Sequence, residues 1–256
     1  MLELKEIESF YPEYLRPFKA NILREYLQYK MLEAVYSSEF AGQLVFMGGT
    51  AIHIAHGLPR FSEDLDFDNR GLDKKSFEAL SQSLVRKLRL EGYKIELSVS
   101  FGGAYRAYIK FIGLLQENKL SSHKAEKLLI QLDTEPQRFD YKPGQIILNK
   151  FDVFTRIDII PEDILLSQKI YAIFARKRPM GRDFYDAIFL FGKTGPNFDY
   201  LKSKSGISAK SILKERLLKK CEDLDFKLLA GDIEKFLFKP EDAKKVLLFR
   251  EFIKSL

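Results

Sequence analysis

The sequence predicts an α/β chain: a small mixed sheet with helices against it, followed by a helical C-terminal part. Three observations carry this. First, Leu44 to Met47 is a short apolar run, Gly48 and Gly49 follow it where the chain must turn, and small or apolar residues continue to His56. Second, several runs between residues 64 and 160 alternate polar and apolar side chains with period two, the mark of half-buried strands. Third, from Pro161 onward apolar residues recur at helical spacing.

In chain order, Leu15, Phe18, Ile22, Tyr26, Tyr29, Leu32, Val35 and Tyr36 recur at helical spacing within residues 13–40, broken early by Pro17, so one or two helices are expected there. Residues 44–47 read as a strand, the glycine pair as a turn, and Thr50 as the cap of the next helix. A strand, a glycine turn and a helix N-terminus aim unpaired N–H groups and the positive end of a helix dipole at an anion, for which a nucleoside triphosphate is the expected candidate. His53 and His56 on that helix are read as structural or solvent-facing.

After a break at Gly57-Leu58-Pro59, Asp64-Leu65-Asp66-Phe67 alternates as a strand, so both carboxylates share one face about 6.5 Å apart along the chain. Two such carboxylates suit one or two hard cations, Mg²⁺ or Mn²⁺, which also take waters and substrate phosphates as ligands. Asp73 is expected to cap a helix over residues 73–90 with Phe77, Leu80, Leu84 and Leu88 as its buried stripe, ended by Gly92. Residues 93–100 and 105–111 read as a hairpin joined through residues 101–104. Residues 127–132 form an apolar run ending in Asp133, a third candidate carboxylate, with Glu135 two residues on as its competitor. Residues 145–149 and 151–160 complete the strands.

Pro161, Glu162 and Asp163 open a helix to residue 176, as proline and acidic residues favour in a first turn. On it Lys169 and Arg176 share one face. Further helices are expected at residues 183–191, with Asp183 as N-cap, and at residues 209–221 and 243–252; residues 202–208 read as a loop. No run approaches the ~18 apolar residues of a membrane span, and the acidic start lacks the pattern of a secretory signal, so a cytoplasmic protein is expected. A single cysteine, Cys221, excludes an intramolecular disulfide.

Basic and acidic residues balance at 22 each over residues 1–160, whereas residues 169–220 hold 13 basic and 4 acidic side chains. That concentration suits a polyanion.

Gly48, Gly49, Thr50, Arg60, Ser62, Asp64, Leu65, Asp66 and Phe67 together resemble the opening motif of the polymerase-β-like nucleotidyltransferases. Within that group the chain is similar to the AbiEii/AbiGii toxin family, whose motif runs Gly-Gly-Thr/Ser, a spacer, then Arg-x-Ser-x-Asp-Leu-Asp-Phe. Lys169, Ala172, Arg176, Arg182, Asp183, Tyr185 and Asp186 resemble the family's second block. The resemblance implies a nucleotidyltransferase core over residues 1–160 and a helical domain over residues 161–256, with the cleft between them. It also implies transfer of a nucleoside monophosphate from an NTP to an acceptor hydroxyl. Asp64, Asp66 and Asp133 would hold the metal, Lys169 and Asp183 would complete the catalytic set, and Gly48, Gly49, Thr50, Ser62, Lys169 and Arg182 would hold the nucleotide. It implies an RNA acceptor of the transfer-RNA type, and a cognate antitoxin as partner. A small-molecule nucleotidyltransferase of the antibiotic-modifying type, whose cationic acceptor calls for an acidic cleft, and a non-catalytic RNA-binding module are the alternative readings.

Overall fold

The computed structural model describes residues 1–123 and 125–256. The elements in chain order are α1 (Leu4–Ser9), α2 (Lys19–Tyr36), β1 (Leu44–Met47), α3 (Gly48–His56), β2 (Leu65–Asn69), α4 (Lys74–Leu90), β3 (Ile95–Gly102), β4 (Ala104–Ile112), α5 (Leu114–Glu117), β5 (Lys127–Glu135), β6 (Gly144–Lys150) and β7 (Val153–Ile159). Then come α6 (Glu162–Ala175), α7 (Gly181–Phe191), α8 (Phe198–Ser205), α9 (Lys210–Lys220), α10 (Phe226–Glu234), α11 (Lys244–Leu247) and α12 (Phe249–Ser255).

The chain forms two compact units. Met1–Ala51, Phe61–Arg138 and Pro143–Ile159 make the first; Ile52–Arg60, Phe139–Lys142 and Ile160–Leu256 make the second.

In the first unit the seven strands among the described residues form one mixed sheet in the order β3-β4-β5-β2-β1-β7-β6. β2 runs antiparallel to β1 and parallel to β5, while β4 is antiparallel to both β3 and β5. One face of the β3–β4 hairpin carries α4, whose stripe Phe77, Leu80, Leu84 and Leu88 is buried as expected, with Asp73 accepting the Ser76 N–H at the cap. Phe77 packs against Phe101 and Tyr105. α2 packs on β7, and the Tyr36 hydroxyl donates to the Asp158 carbonyl at 2.7 Å while accepting the Phe46 N–H at 3.1 Å. One phenol thus ties α2 to two neighbouring strands, β1 and β7. Pro17 does break the early helical run: a single 3-10 turn, Glu13–Leu15, precedes α2.

The second unit is helical. α6 packs on α7 and α8, and α7 on α10 and α11. α7 and α10 approach so closely at Gly181 that any Cβ there would overlap the Leu229 carbonyl. Phe184 sits edge-on to Phe226 and Phe249 in the core of this bundle.

Three expectations about the helices are corrected, and one further helix is present. Thr50 is not a cap: α3 begins at Gly48, directly after β1, and the Thr50 hydroxyl donates to the Asp64 carbonyl. Asp183 is not a cap either, because α7 starts at Gly181 after Met180, and the Asp183 carboxylate is buried against cationic side chains. Residues 202–205, read as loop, lie in α8, which Asn197 caps by accepting the Tyr200 N–H; the left-handed Gly206 then ends it. α10 was not anticipated, although Asp225 caps it through the N–H groups of Lys227 and Leu228. No helix among the described residues is long and apolar enough to cross a membrane.

Candidate active site

The strand–glycine–helix stretch is built more tightly than a simple turn. Gly48 takes φ of +80°, a left-handed conformation that suits glycine, and a Cβ there would overlap the Asp66 carboxylate. The open side of Gly48 therefore admits Asp66 against the N-terminus of α3, where the helix dipole favours negative charge. Asp64 lies one residue before β2, and the Thr50 hydroxyl holds its carbonyl. Ser62 is half-buried and its carbonyl accepts the Gln28 side-chain amide at 3.0 Å.

The parallel pairing of β2 with β5 sets Asp66 directly opposite Asp133. Directly paired residues of neighbouring strands point to the same face. The same register continues across the sheet: Ser100, Arg106, Asp133, Asp66 and Met47 lie in one row over β3, β4, β5, β2 and β1. Asp133 thus sits within β5 rather than at its end, because the strand runs on to Glu135. Glu135 pairs with Asp68 instead and is exposed.

Both oxygens of Asp133 accept from the Gln131 amide at 2.8 Å, and Arg106 Nε lies 3.5 Å from Oδ2. Burial pushes the Asp133 carboxyl above its ordinary range, outweighing the downward pull of Gln131 and Arg106. Arg106 and Gln131 were missed from sequence. Gln131 could have been found as the same-face neighbour two residues before Asp133, but Arg106 only by knowing the register.

In kind, the donors here fit a hard divalent cation, being carboxylate oxygens with Asp66 and Asp133 side by side. Among the described residues no group of three or more His, Cys, Asp or Glu side chains is already assembled as a metal cluster.

The second motif forms a buried ion network within the helical unit. Arg60, brought by the segment after α3, places Nε and Nη2 each 2.7 Å from the two oxygens of Asp186. Lys169 Nζ lies 2.8 Å from Asp186 and 3.5 Å from Asp183, and Arg176 Nε is 2.8 Å from Asp183. Asp186 and Asp183 are buried, and Lys169 is only 9% exposed, which excludes a solvated surface lysine. Burial alone would raise the Asp186 carboxyl, yet the charges and hydrogen bonds of Arg60 and Lys169 together hold it below the ordinary carboxylate range. Lys169 and Arg176 do share a face, and Asp183 is what they share. Arg182, half-buried in the first turn of α7, makes no ion pair among the described residues. Arg60 and Asp186 belong to the two sequence motifs, but their pairing across 126 residues was not foreseen.

Of the two histidines, His53 Nδ1 lies 2.7 Å from the Leu58 carbonyl and His56 Nδ1 3.3 Å from Glu162.

Lys169→Met keeps the aliphatic stem and leaves each carboxylate one arginine. It should cost about 1–3 kcal/mol of stability in urea unfolding and should weaken NTP binding in a parallel titration. Unchanged NTP binding would confine Lys169 to the network.

The fold occurs in solved structures. JHP933 from Helicobacter pylori matches with a TM-score of 0.54 at 17% identity, covering 92% of each chain. A second H. pylori protein, a candidate nucleotidyltransferase, matches with a TM-score of 0.53 at 16% identity over 91% of this chain and 94% of its own. No curated protein sequence matches the chain. The profile of the family described as nucleotidyl transferase AbiEii toxin, type IV TA system, matches residues 30–245, a span that takes in both the carboxylate row and the ion network. The chain belongs to the AbiEii nucleotidyl transferase toxin family of the polymerase-β-like superfamily.

Proposed function

We propose that the protein transfers a nucleoside monophosphate from an NTP to a hydroxyl of an RNA acceptor, as the toxin partner of a cognate antitoxin. The observation that supports this best is the in-register pairing of Asp66 with Asp133 beside the α3 N-terminus. In the reaction the acceptor oxygen forms a bond to the α-phosphorus, the bond to the β-phosphate oxygen breaks, and pyrophosphate leaves. Asp64, Asp66 and Asp133 would hold Mg²⁺ or Mn²⁺, which when bound neutralises phosphate charge and makes the hydroxyl easier to ionise. Asp133 is the group to take up the hydroxyl proton. Gly48, Gly49, Thr50 and Ser62 would line the nucleotide's phosphates, with Lys169 and Arg182 as the cations and Asp183 positioning Lys169. In this reading residues 1–160 supply the chemistry and residues 161–256 much of the acceptor surface.

The basic excess of residues 169–220 faces outward more than its sequence count implies. Two of its four acidic side chains, Asp183 and Asp186, are buried with Lys169. Lys202 and Lys210 are exposed, whereas Lys204 lies over the Tyr200 ring at 5.6 Å. Charge reversal at Lys202 and Lys210 should therefore weaken RNA binding and leave NTP binding intact. With about 4–6 phosphate contacts, log K against log salt should fall with a slope of roughly −3 to −5. A flat salt response, with label passing to a small molecule or protein instead of RNA, would refute the RNA acceptor.

A further inference from the structure

One face of the β3–β4–β5 portion of the sheet carries α4; the other carries the row that contains Arg106, Asp133 and Asp66. By alternation Tyr108 and Lys110 lie on the same face as Arg106 and continue along β4 for about 13 Å. All three are half-exposed, and beside them on β5 Leu129 is 38% exposed. Arg106 touches Asp133 only through Nε at 3.5 Å, which leaves most of its guanidinium for another anion. Tyr108 contacts no other ring and Lys110 forms no ion pair among the described residues. The cross-strand partner of Lys110 on β3 is Glu96, and Glu96 is already paired with Lys127 at 2.6 Å.

An aromatic between two cations, on an open sheet face, leads to the carboxylate pair. We propose that Lys110, Tyr108 and Arg106 form a track for the single-stranded end of the RNA acceptor, which brings its terminal hydroxyl to Asp133 and Asp66. This rests on the RNA-directed reading above and names where on the core that substrate is held. The charge fits a phosphate backbone, and half-exposed aromatics among basic side chains on a sheet face are how other sheets hold two or three unpaired bases. The two-residue step along β4 repeats cation, ring, cation, so each cation reaches a phosphate flanking the stacked base.

The test uses the full chain with Tyr108→Ala, Tyr108→Phe and Lys110→Glu, none of which removes a group placed at the reacting atoms. Binding of a fluorescent single-stranded oligoribonucleotide is read by anisotropy, and KM for RNA, KM for NTP and kcat are read by transfer. Tyr108→Ala and Lys110→Glu should each weaken oligonucleotide binding and raise KM for RNA roughly tenfold. KM for NTP and kcat should hold, and Tyr108→Phe should behave as the parent. Loss of oligonucleotide binding in the variants, with no transfer to RNA by the parent, would support the track and refute the RNA-directed reaction. Transfer to RNA with binding and KM for RNA unchanged in the variants, or a parent that binds no single-stranded RNA, would overturn the track.

Discussion

Replacing both Asp64 and Asp66 with Asn is expected to lower nucleotidyl transfer by at least ~10³, about 4 kcal/mol of lost transition-state stabilisation. Asp66 stands opposite Asp133 and against the open side of Gly48, so the amide keeps the shape while removing the charge that a divalent ion requires. The Thr50 hydroxyl still holds the Asp64 backbone carbonyl in the variant. Turnover by labelled-nucleotide incorporation, beside a thermal melt of the same sample, separates lost transfer from lost folding. Near-parental turnover in the double variant would remove both residues from the site.

The largest effect on stability is expected at Asp186. Its carboxylate is fully buried and accepts from Arg60 at 2.7 Å to each oxygen and from Lys169 at 2.8 Å. Asp186→Asn leaves Arg60 buried without its counter-charge, a loss of about 3–5 kcal/mol. Tm should fall by on the order of 10 °C. The sign with pH follows from the carboxyl being held below its ordinary range. Its contribution is complete above the unfolded value near pH ~4 and is lost as pH falls through the lower folded value. The stability gap between parent and Asp186→Asn should therefore be constant near neutrality and close in acid. A gap that widened on acidification would contradict the assignment.

What could be read from the chain was local. The β1–Gly-Gly–α3 stretch, the α4 stripe and the β3–β4 hairpin follow from periodicity and from glycine placement, and all are present. The helix ends failed where a local rule met a tertiary one. Thr50 and Asp183 have the chemistry of caps, but each side chain is taken by a group outside its own helix, the Asp64 carbonyl and Arg176 at the end of α6. Asp133 was found as the residue after an apolar run, while what makes it a partner of Asp66 is register, which no short window encodes. Arg60 and Asp186 are each legible as motif residues, but not as a pair; only the fold removes both from water and makes each the other's condition for burial.

A paired incubation of the protein with RNA and Mg²⁺, using each NTP labelled either at the α- or at the γ-phosphate, reads the transfer itself. Nucleotidyl transfer predicts that one or more α-labels become covalently attached to RNA, that γ-label leaves as pyrophosphate, and that the Asp64→Asn, Asp66→Asn variant does neither. Label passing to RNA from the γ-position, or no α-label in RNA with any NTP, would contradict it.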